Sequence, residues 1–267
     1  MALRHTRTGI RCEGAAHEEY GWSVAIDGSN ATAGTSGVVY ALTDQLSGNE
    51  LTKVNTFAHA SYQPDQKTFG KLLNLNGAGI QYRWLHQLMG SMGYEKLNNM
   101  AANAPIGSNG LTVFPFGNGA ERMLDNKVVN GHISNINFNV HDNDHMVRAT
   151  LEGIAFALVY GIEILKNDGV AIESLKVGND NLFLSEEFSK TIADTLGITI
   201  EMLEATGSEG AAKASIAGLY GGTVEDKIKI TKTIKPNAKT PDHNSTGEPY
   251  VKTVEHFCFF IWEKGCN

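Results

Sequence analysis

Between residues 174 and 220 the sequence alternates strand-like and helix-like segments, and that order constrains the fold more than any other feature. Residues 174–177 form a short strand leading into Gly178-Asn179-Asp180-Asn181. Ser185 is placed to cap a helix that runs to Leu196, with Gly197 just past its end. Residues 198–203 repeat the strand. Ser208 caps a second helix to Tyr220, closed by Gly221-Gly222. A repeated β-loop-α order predicts an α/β domain whose loops gather at one sheet edge, where such folds bind ligands. At 267 residues and 42% hydrophobic content the chain can bury a sizeable core.

The rest of the chain adds strands and one long helix. Residues 23–57 read as strands and hairpins, with turns at Asp27-Gly28 and at Gly34-Thr35-Ser36-Gly37. Residues 69–102 read as mostly helical, with Leu85, Leu88 and Met89 sharing a face and Gly77 and Gly79 loosening the entry. Residues 110–115 read as a short buried strand ended by Pro115, and 116–122 as a loop. Apolar and polar positions alternate over 133–139, the pattern of a half-buried strand. The strongest helix spans about 142–167, capped by Asp142 or Asn143 and stopped by Asp168-Gly169; its apolar residues surround the cylinder, so it is buried on most sides. Residues 236–247 read as a polar loop and 248–264 as a terminal helix.

Composition removes several function classes. A net charge of −7 argues against nucleic acid or an anionic membrane as partner. No run of 18 apolar residues is present, so no spanning helix is expected. The basic start, Met1 to Arg7, has no apolar core and does not read as a secretory signal. Cys12, Cys258 and Cys266 are odd in number and lack metal-ligand spacing; they read as reduced thiols, which implies a cytoplasmic protein. Asn30-Ala31-Thr32 and Asn244-Ser245-Thr246 match the glycosylation pattern by chance in that setting. His141 and His145 stand four apart, but Asp142 and Asp144 beside them read as helix-start residues, and no metal site is assigned.

Three glycine-bearing loops follow strands. The first is Gly34-Thr35-Ser36-Gly37, the second Gly178-Asn179-Asp180-Asn181, the third Thr206-Gly207-Ser208-Glu209-Gly210-Ala211-Ala212-Lys213. Each has two readings that stay open: turn geometry alone, or a cradle of backbone N–H groups for a phosphate or a planar ring. None fits the P-loop or dinucleotide pattern.

The order of these motifs resembles the C-terminal domain of the FGGY family of carbohydrate kinases, most closely the xylulokinases, within the actin-like ATPase superfamily. The resemblance runs from about Ile26 to Trp262. It rests on Thr32-Ala33-Gly34-Thr35-Ser36-Gly37-Val38-Val39, Val54-Asn55-Thr56-Phe57-Ala58-His59, Leu75-Asn76-Gly77-Ala78-Gly79-Ile80 and Trp84. It continues in Phe114-Pro115-Phe116-Gly117-Asn118-Gly119-Ala120-Glu121-Arg122, Arg148-Ala149-Thr150-Leu151-Glu152-Gly153-Ile154-Ala155-Phe156, Gly178, and Glu209-Gly210-Ala211-Ala212-Lys213-Ala214. What it implies is an α/β actin-like ATPase (RNase H-like) domain, a mixed sheet flanked by helices, over residues 23–264, with 1–22 unassigned.

The resemblance also implies roles. Gly34, Thr35 and Ser36 would form a phosphate loop touching the terminal phosphates of ATP. Gly77 would line the nucleotide cleft; Gly178, Asn179 and Asn181 would border adenosine, with Gly210 and Ala211 on its other side. Asn179-Asp180-Asn181 departs from the family's more glycine-rich form. Arg148 and Glu152, four apart on one helix, read as a structural pair. Glu121 and Arg122 either reach toward the cleft or only pin their loop. The implied reaction is phosphorylation of a pentulose by ATP and Mg2+, most closely D-xylulose, with ribulose, rhamnulose or glycerol as alternatives. An N-terminal lobe would supply the first phosphate loop, the sugar pocket and the catalytic Asp, the general base. That base would fall near Arg11-Cys12-Glu13-Gly14-Ala15-Ala16, where Glu13 is the nearest carboxylate; Asp27 reads as a turn residue, and the base is left unassigned. The chain alone is therefore expected to bind ATP and to transfer little phosphate. A non-catalytic module or one half of a split enzyme is the alternative, and a homodimer is left open.

Overall fold

In the computed structural model, residues 29–46, 48–59, 62–65, 67–204 and 229–237 are described, together with positions 209, 212, 215, 216 and 219 of one further helix and 256, 257 and 259–263 of another. The order of elements is β1 (Ser29–Ala33), β2 (Gly37–Thr43), β3 (Asn55–Ala58), β4 (Phe69–Leu75), α1 (Ala78–Leu88), α2 (Tyr94–Asn103), β5 (Thr112–Glu121), β6 (Lys127–Ser134), α3 (Asn143–Asn167), β7 (Ser174–Gly178), α4 (Glu186–Leu196), β8 (Thr199–Leu203) and β9 (Ile230–Ile234). Seven strands form one sheet in the order β3-β4-β2-β1-β7-β8-β9. Strands β1, β7 and β8 run parallel to one another, while β2 is antiparallel to both β1 and β4. Because β1, β7 and β8 are neighbours with one direction, the loops leaving their carboxyl ends fall side by side.

The long helix behaves as its apolar girth predicts. Asp142 caps it, accepting from the backbone N–H of His145, whose ring in turn contacts Asp142. That use of His145 agrees with the helix-start reading of this segment. Most of α3 is buried, and it packs against α1, α2, α4, β2, β4 and β5. The core is thus the layer between α3 and the sheet, filled by residues such as Leu73, Leu75, Leu151, Ile154, Leu158, Leu175 and Val177. The described part of the C-terminal helix adds Phe257 and Ile261, with Phe257 stacked on Phe114 at 5.1 Å between ring centres.

Five local expectations are corrected. Residues 69–75, expected to be helical, form β4, a strand paired on both sides by β2 and β3; that pairing overrides local helix propensity. Gly77 and Gly79 accordingly lie at a strand-to-helix junction rather than in a loosened helix entry. On α1 itself Leu85 is buried, whereas Leu88 is exposed; Tyr82 joins Leu85 on the core face. The strand of 110–115 does not stop at Pro115: β5 continues to Glu121, with a bulge between Phe116 and Ala120. A two-stranded ribbon has only edges, so a proline without an N–H fits opposite Gly131. The strand expected over 133–139 instead ends at Ser134, where the ladder to Thr112 ends and Asn135 turns at φ +60, leaving Ile136 and Phe138 exposed. Strand β9, which pairs antiparallel with β8, was not anticipated.

The second half follows its expected course closely. Ser185 accepts from the backbone N–H of Phe188 at the start of α4, and Gly197 follows at its end. The described residues from 209 to 219 are helical, as are those from 256 to 263. Ser208, the Asp27-Gly28 turn, Glu13, Gly210 and Ala211 lie outside the described residues.

Candidate functional site: a cleft at the carboxyl ends of the parallel strands

The Gly34–Ser36 bend leaves β1 and returns as β2. It is docked onto the first turn of α1 by two backbone hydrogen bonds: Gly79 N–H donates to the Gly34 carbonyl at 2.9 Å, and Ile80 N–H to the Thr35 carbonyl at 3.1 Å. Gly79 is required at that contact, since a β-carbon there would sit 2.2 Å from the Gly34 oxygen. With its carbonyls taken by α1, the loop leaves the Thr35 side chain exposed and Ser36 half-buried.

A cavity of about 890 Å³ opens beside this loop. Ala33, Gly34 and Thr35 form one wall, Gly79, Ile80 and Arg83 of α1 another. Asn181, Leu182 and Leu184, in the short 3-10 turn after β7, lie opposite. Asn181 holds a left-handed backbone at φ +49, and its amide nitrogen would stand 3.9 Å from a β-carbon on Gly34. Two of the three glycine-bearing loops therefore meet across one cavity. The far wall comes from α2 and the start of α4, including Tyr94, Asn98, Glu186 and Glu187.

Two acidic residues of that wall, Glu186 and Glu187, are neutralised from behind. Glu186 bonds Lys190 at 2.6 Å and Lys232 at 2.9 Å, which hold its carboxyl down at about 2. Glu187 receives Arg148 Nη1 at 2.7 Å, and Arg148 Nε donates to Glu152 at 2.6 Å, so the expected Arg148–Glu152 pair forms and extends to the cavity wall. Burial raises the Glu152 carboxyl despite the adjacent guanidinium. Arg83, by contrast, has no ion-pair partner among the described residues and supplies a positive charge to the cavity. The Tyr82 hydroxyl, raised by burial, donates to Asn98 Oδ1 at 2.7 Å and fixes that amide.

Of the residues assigned from sequence, Gly34, Thr35 and Asn181 line the cavity. Ser36 belongs to the same bend, and Gly178 and Asn179 to the same β7 loop, without being among the lining residues. Gly77, expected to line the cleft, packs instead against β5: a β-carbon there would overlap the Pro115 carbonyl oxygen at 1.4 Å. Glu121 does not reach the cavity either; it is buried against the start of α1. Gly79, Arg83, Tyr94 and Asn98 were missed. Gly79 had a signal, because glycine two residues into a helix costs propensity unless something approaches its backbone. The others had none, since only the packing of α2 beside α1 turns them to the cavity.

The sheet order, with parallel β1, β7 and β8 and an inverted β2, is that of the actin-like, RNase H-like fold. The solved structure of ligand-bound xylulose kinase from Lactobacillus acidophilus shares this fold, with a TM-score of 0.73 at 20% identity over 88% of this chain and 47% of that one. The model of the FGGY family of carbohydrate kinases, C-terminal domain, matches residues 29–218, and the chain belongs to that family. It is 28% identical over 218 residues to a xylulose kinase of Staphylococcus epidermidis, covering 78% of this chain and 42% of the relative. It is 25% identical over 197 residues to a glycerol kinase of Vibrio atlanticus, covering 71% and 38%. The chain thus spans less than half the length of these curated relatives. No described helix is long and apolar enough to cross a membrane.

Proposed function

We propose that this chain is the nucleotide-binding lobe of an ATP-dependent carbohydrate kinase, formed by residues 23–264, and that the parent reaction is phosphorylation of a pentulose, D-xylulose first. The observation that carries this reading is the single cavity joining the Gly34–Ser36 bend to Asn181. The terminal phosphates of ATP would lie against Gly34, Thr35 and Ser36, with Arg83 adding charge, and adenosine would extend past Asn181 along the β7 loop and toward Gly210 and Ala211. The paired carboxylates of Glu186 and Glu187 favour that direction, because they offer a phosphate no positive charge while their oxygens accept hydrogen bonds from ribose or an amine.

Among the described residues no group of three His, Cys, Asp or Glu could hold a metal ion. The donor set at the loop is one hydroxyl pair and backbone, which fits Mg2+ arriving on the nucleotide's own phosphates rather than in a protein cage. When bound, that ion offsets charge on the transferring phosphoryl group. This chain's residues hold and orient the donor. The acceptor sugar and its general base belong to a second lobe. Relatives of this lobe include both a xylulose kinase and a glycerol kinase, which supports a choice of sugar made in the second lobe.

The test is calorimetry of the 267-residue chain with ATP and Mg2+. Binding at one site is expected, without xylulose-dependent ADP release by the chain alone and with turnover on adding an N-terminal kinase lobe. No heat on titration with ATP would overturn the reading. ATP binding without rescue by any N-terminal lobe would identify a non-catalytic module.

A further inference from the structure

The β5 strand ends in a clamp on the beginning of α1, and the chemistry of that clamp is unusual. Glu121 is fully buried, and its Oε2 accepts the backbone N–H of Asn76 at 3.1 Å, while Oε1 has no hydrogen-bond partner. Asn76 is held from three further sides or neighbours. Its side-chain amide donates to the Ala120 carbonyl at 2.7 Å, its own carbonyl accepts from Asn118 at 2.9 Å, and Asn74 bonds its side-chain oxygen at 2.5 Å. Gly77, the residue before α1, is pressed against the Pro115 carbonyl. One buried carboxylate thus sits at the junction where β4 becomes α1.

Two residues further on, the first turn of α1 holds the Gly34–Ser36 bend through Gly79 and Ile80. A helix start is stiff over one turn, so the placement of Asn76 and Gly77 dictates where the Gly79 and Ile80 amides point. We propose that Glu121 is a positioning residue for nucleotide binding: by fixing the start of α1 it sets the Gly34–Ser36 bend that receives the terminal phosphates. The proposal rests on the reading of that bend as a phosphate loop, and its location explains why a carboxylate outside the cavity would matter to it. A carboxylate in the cavity would repel phosphate; one behind the helix start complements the N-terminal partial charge of α1 without facing the ligand.

Burial also pushes the Glu121 carboxyl up to about 7, against the opposing stabilisation by the Asn76 and Gly77 amides. The charged groups on the elements around it are Arg122, next in the chain, Lys127, its partner across the β5–β6 ladder, and Lys71 on β4, which is bound to Asp168. None of them is hydrogen-bonded to its carboxyl oxygens, so the group carries its own titration. The ionised form accepts backbone N–H groups; the protonated form gives up part of that acceptance.

The experiment follows the backbone amides of the intact chain by two-dimensional NMR from pH 5.5 to 8.5, in wild type and Glu121→Gln, alongside ATP·Mg2+ titration of both. In wild type the Asn76, Gly77, Gly79, Ile80, Gly34 and Thr35 amides should move together with a midpoint near 7. In Glu121→Gln that joint transition should vanish, and ATP affinity at pH 8 should fall at least about five-fold, the scale of a lost charged hydrogen bond. Movement of Asn76 and Gly77 without Gly34 and Thr35 would overturn the proposal, as would unchanged ATP affinity in a folded Glu121→Gln chain. The wild-type pH series stands even if the variant does not fold. Failure of wild type to bind ATP would instead refute the phosphate-loop reading, while the amide coupling would still be measured.

Discussion

The contact between Gly79 and the Gly34 carbonyl anchors the bend on α1, and Gly79→Ala tests it. In an ordinary helix the exchange stabilises by up to about 1 kcal/mol, because alanine loses less backbone entropy. Here the added methyl would lie 2.2 Å from the Gly34 oxygen and 2.9 Å from its carbon. Both are backbone atoms, so no side chain can swing away. The bend must retreat, and the bonds from Gly79 and Ile80, 2.9 and 3.1 Å long, lengthen or break. Two backbone hydrogen bonds are worth roughly 2 kcal/mol together, and forcing a methyl into a packed contact costs roughly 1–3 kcal/mol. Set against the propensity gain, the net loss is about 2–4 kcal/mol. Urea denaturation followed by circular dichroism reads that loss as a lower midpoint at unchanged slope, and ATP calorimetry should show weakened binding in the same variant. A Gly79→Ala chain as stable as wild type, or more stable, would refute the docking of the bend on α1.

Two further perturbations address the scaffold. Asp168→Asn removes the carboxylate that receives Lys71 Nζ at 2.7 Å and the Glu50 backbone N–H at 2.7 Å in the interior; leaving that buried ammonium without its counter-charge should cost about 3–5 kcal/mol, read as a fall in the urea midpoint. The raised Glu121 carboxyl predicts a pH slope of a definite sign. Its ordinary value is 4.5 and its folded value about 7, so between them the folded chain keeps a proton that the unfolded chain has released. Stability should therefore fall as pH rises through that window, by about 3 kcal/mol from this group, and level off above it. Burial pushes the Glu152 and Asp180 carboxyls the same way, so the diagnostic quantity is the difference between wild type and Glu121→Gln at pH 5 and pH 8, measured by urea denaturation.

What the sequence disclosed about the fold depended on whether a signal was local. The cap at Asp142, the cap at Ser185 and the stop at Gly197 are each decided within one helical turn, and each appears where expected. The residues over 69–75 are different. Phe69-Gly70-Lys71-Leu72-Leu73 carries no alternation because β4 is paired on both edges and largely buried, and a short apolar run of that kind reads equally well as helix. Lys71 is the clearest case: a lysine in an apolar run suggests a solvent-facing helical position, yet its ammonium ends on Asp168, 97 residues away in the chain.

The site divides along the same line. Gly34, Thr35 and Asn181 were named from the resemblance, and they line one cavity because β1 and β7 lie side by side and parallel, so that the loops at their carboxyl ends fall together. Arg83 and Asn98 were not, since their place on the cavity wall depends on how α1 and α2 pack. Gly77 shows the limit of reading roles from small residues. Its glycine is required by the carbonyl of Pro115, whatever else lies near it. Glycine in this chain reports that something comes close to the backbone. Only the neighbouring elements say what, and here two glycines two residues apart answer to different partners: Gly77 to the β5 strand and Gly79 to the bend beside the cavity. The α1 start is consequently held between Glu121 and the candidate phosphate loop, which is why a change on either side should be felt on the other.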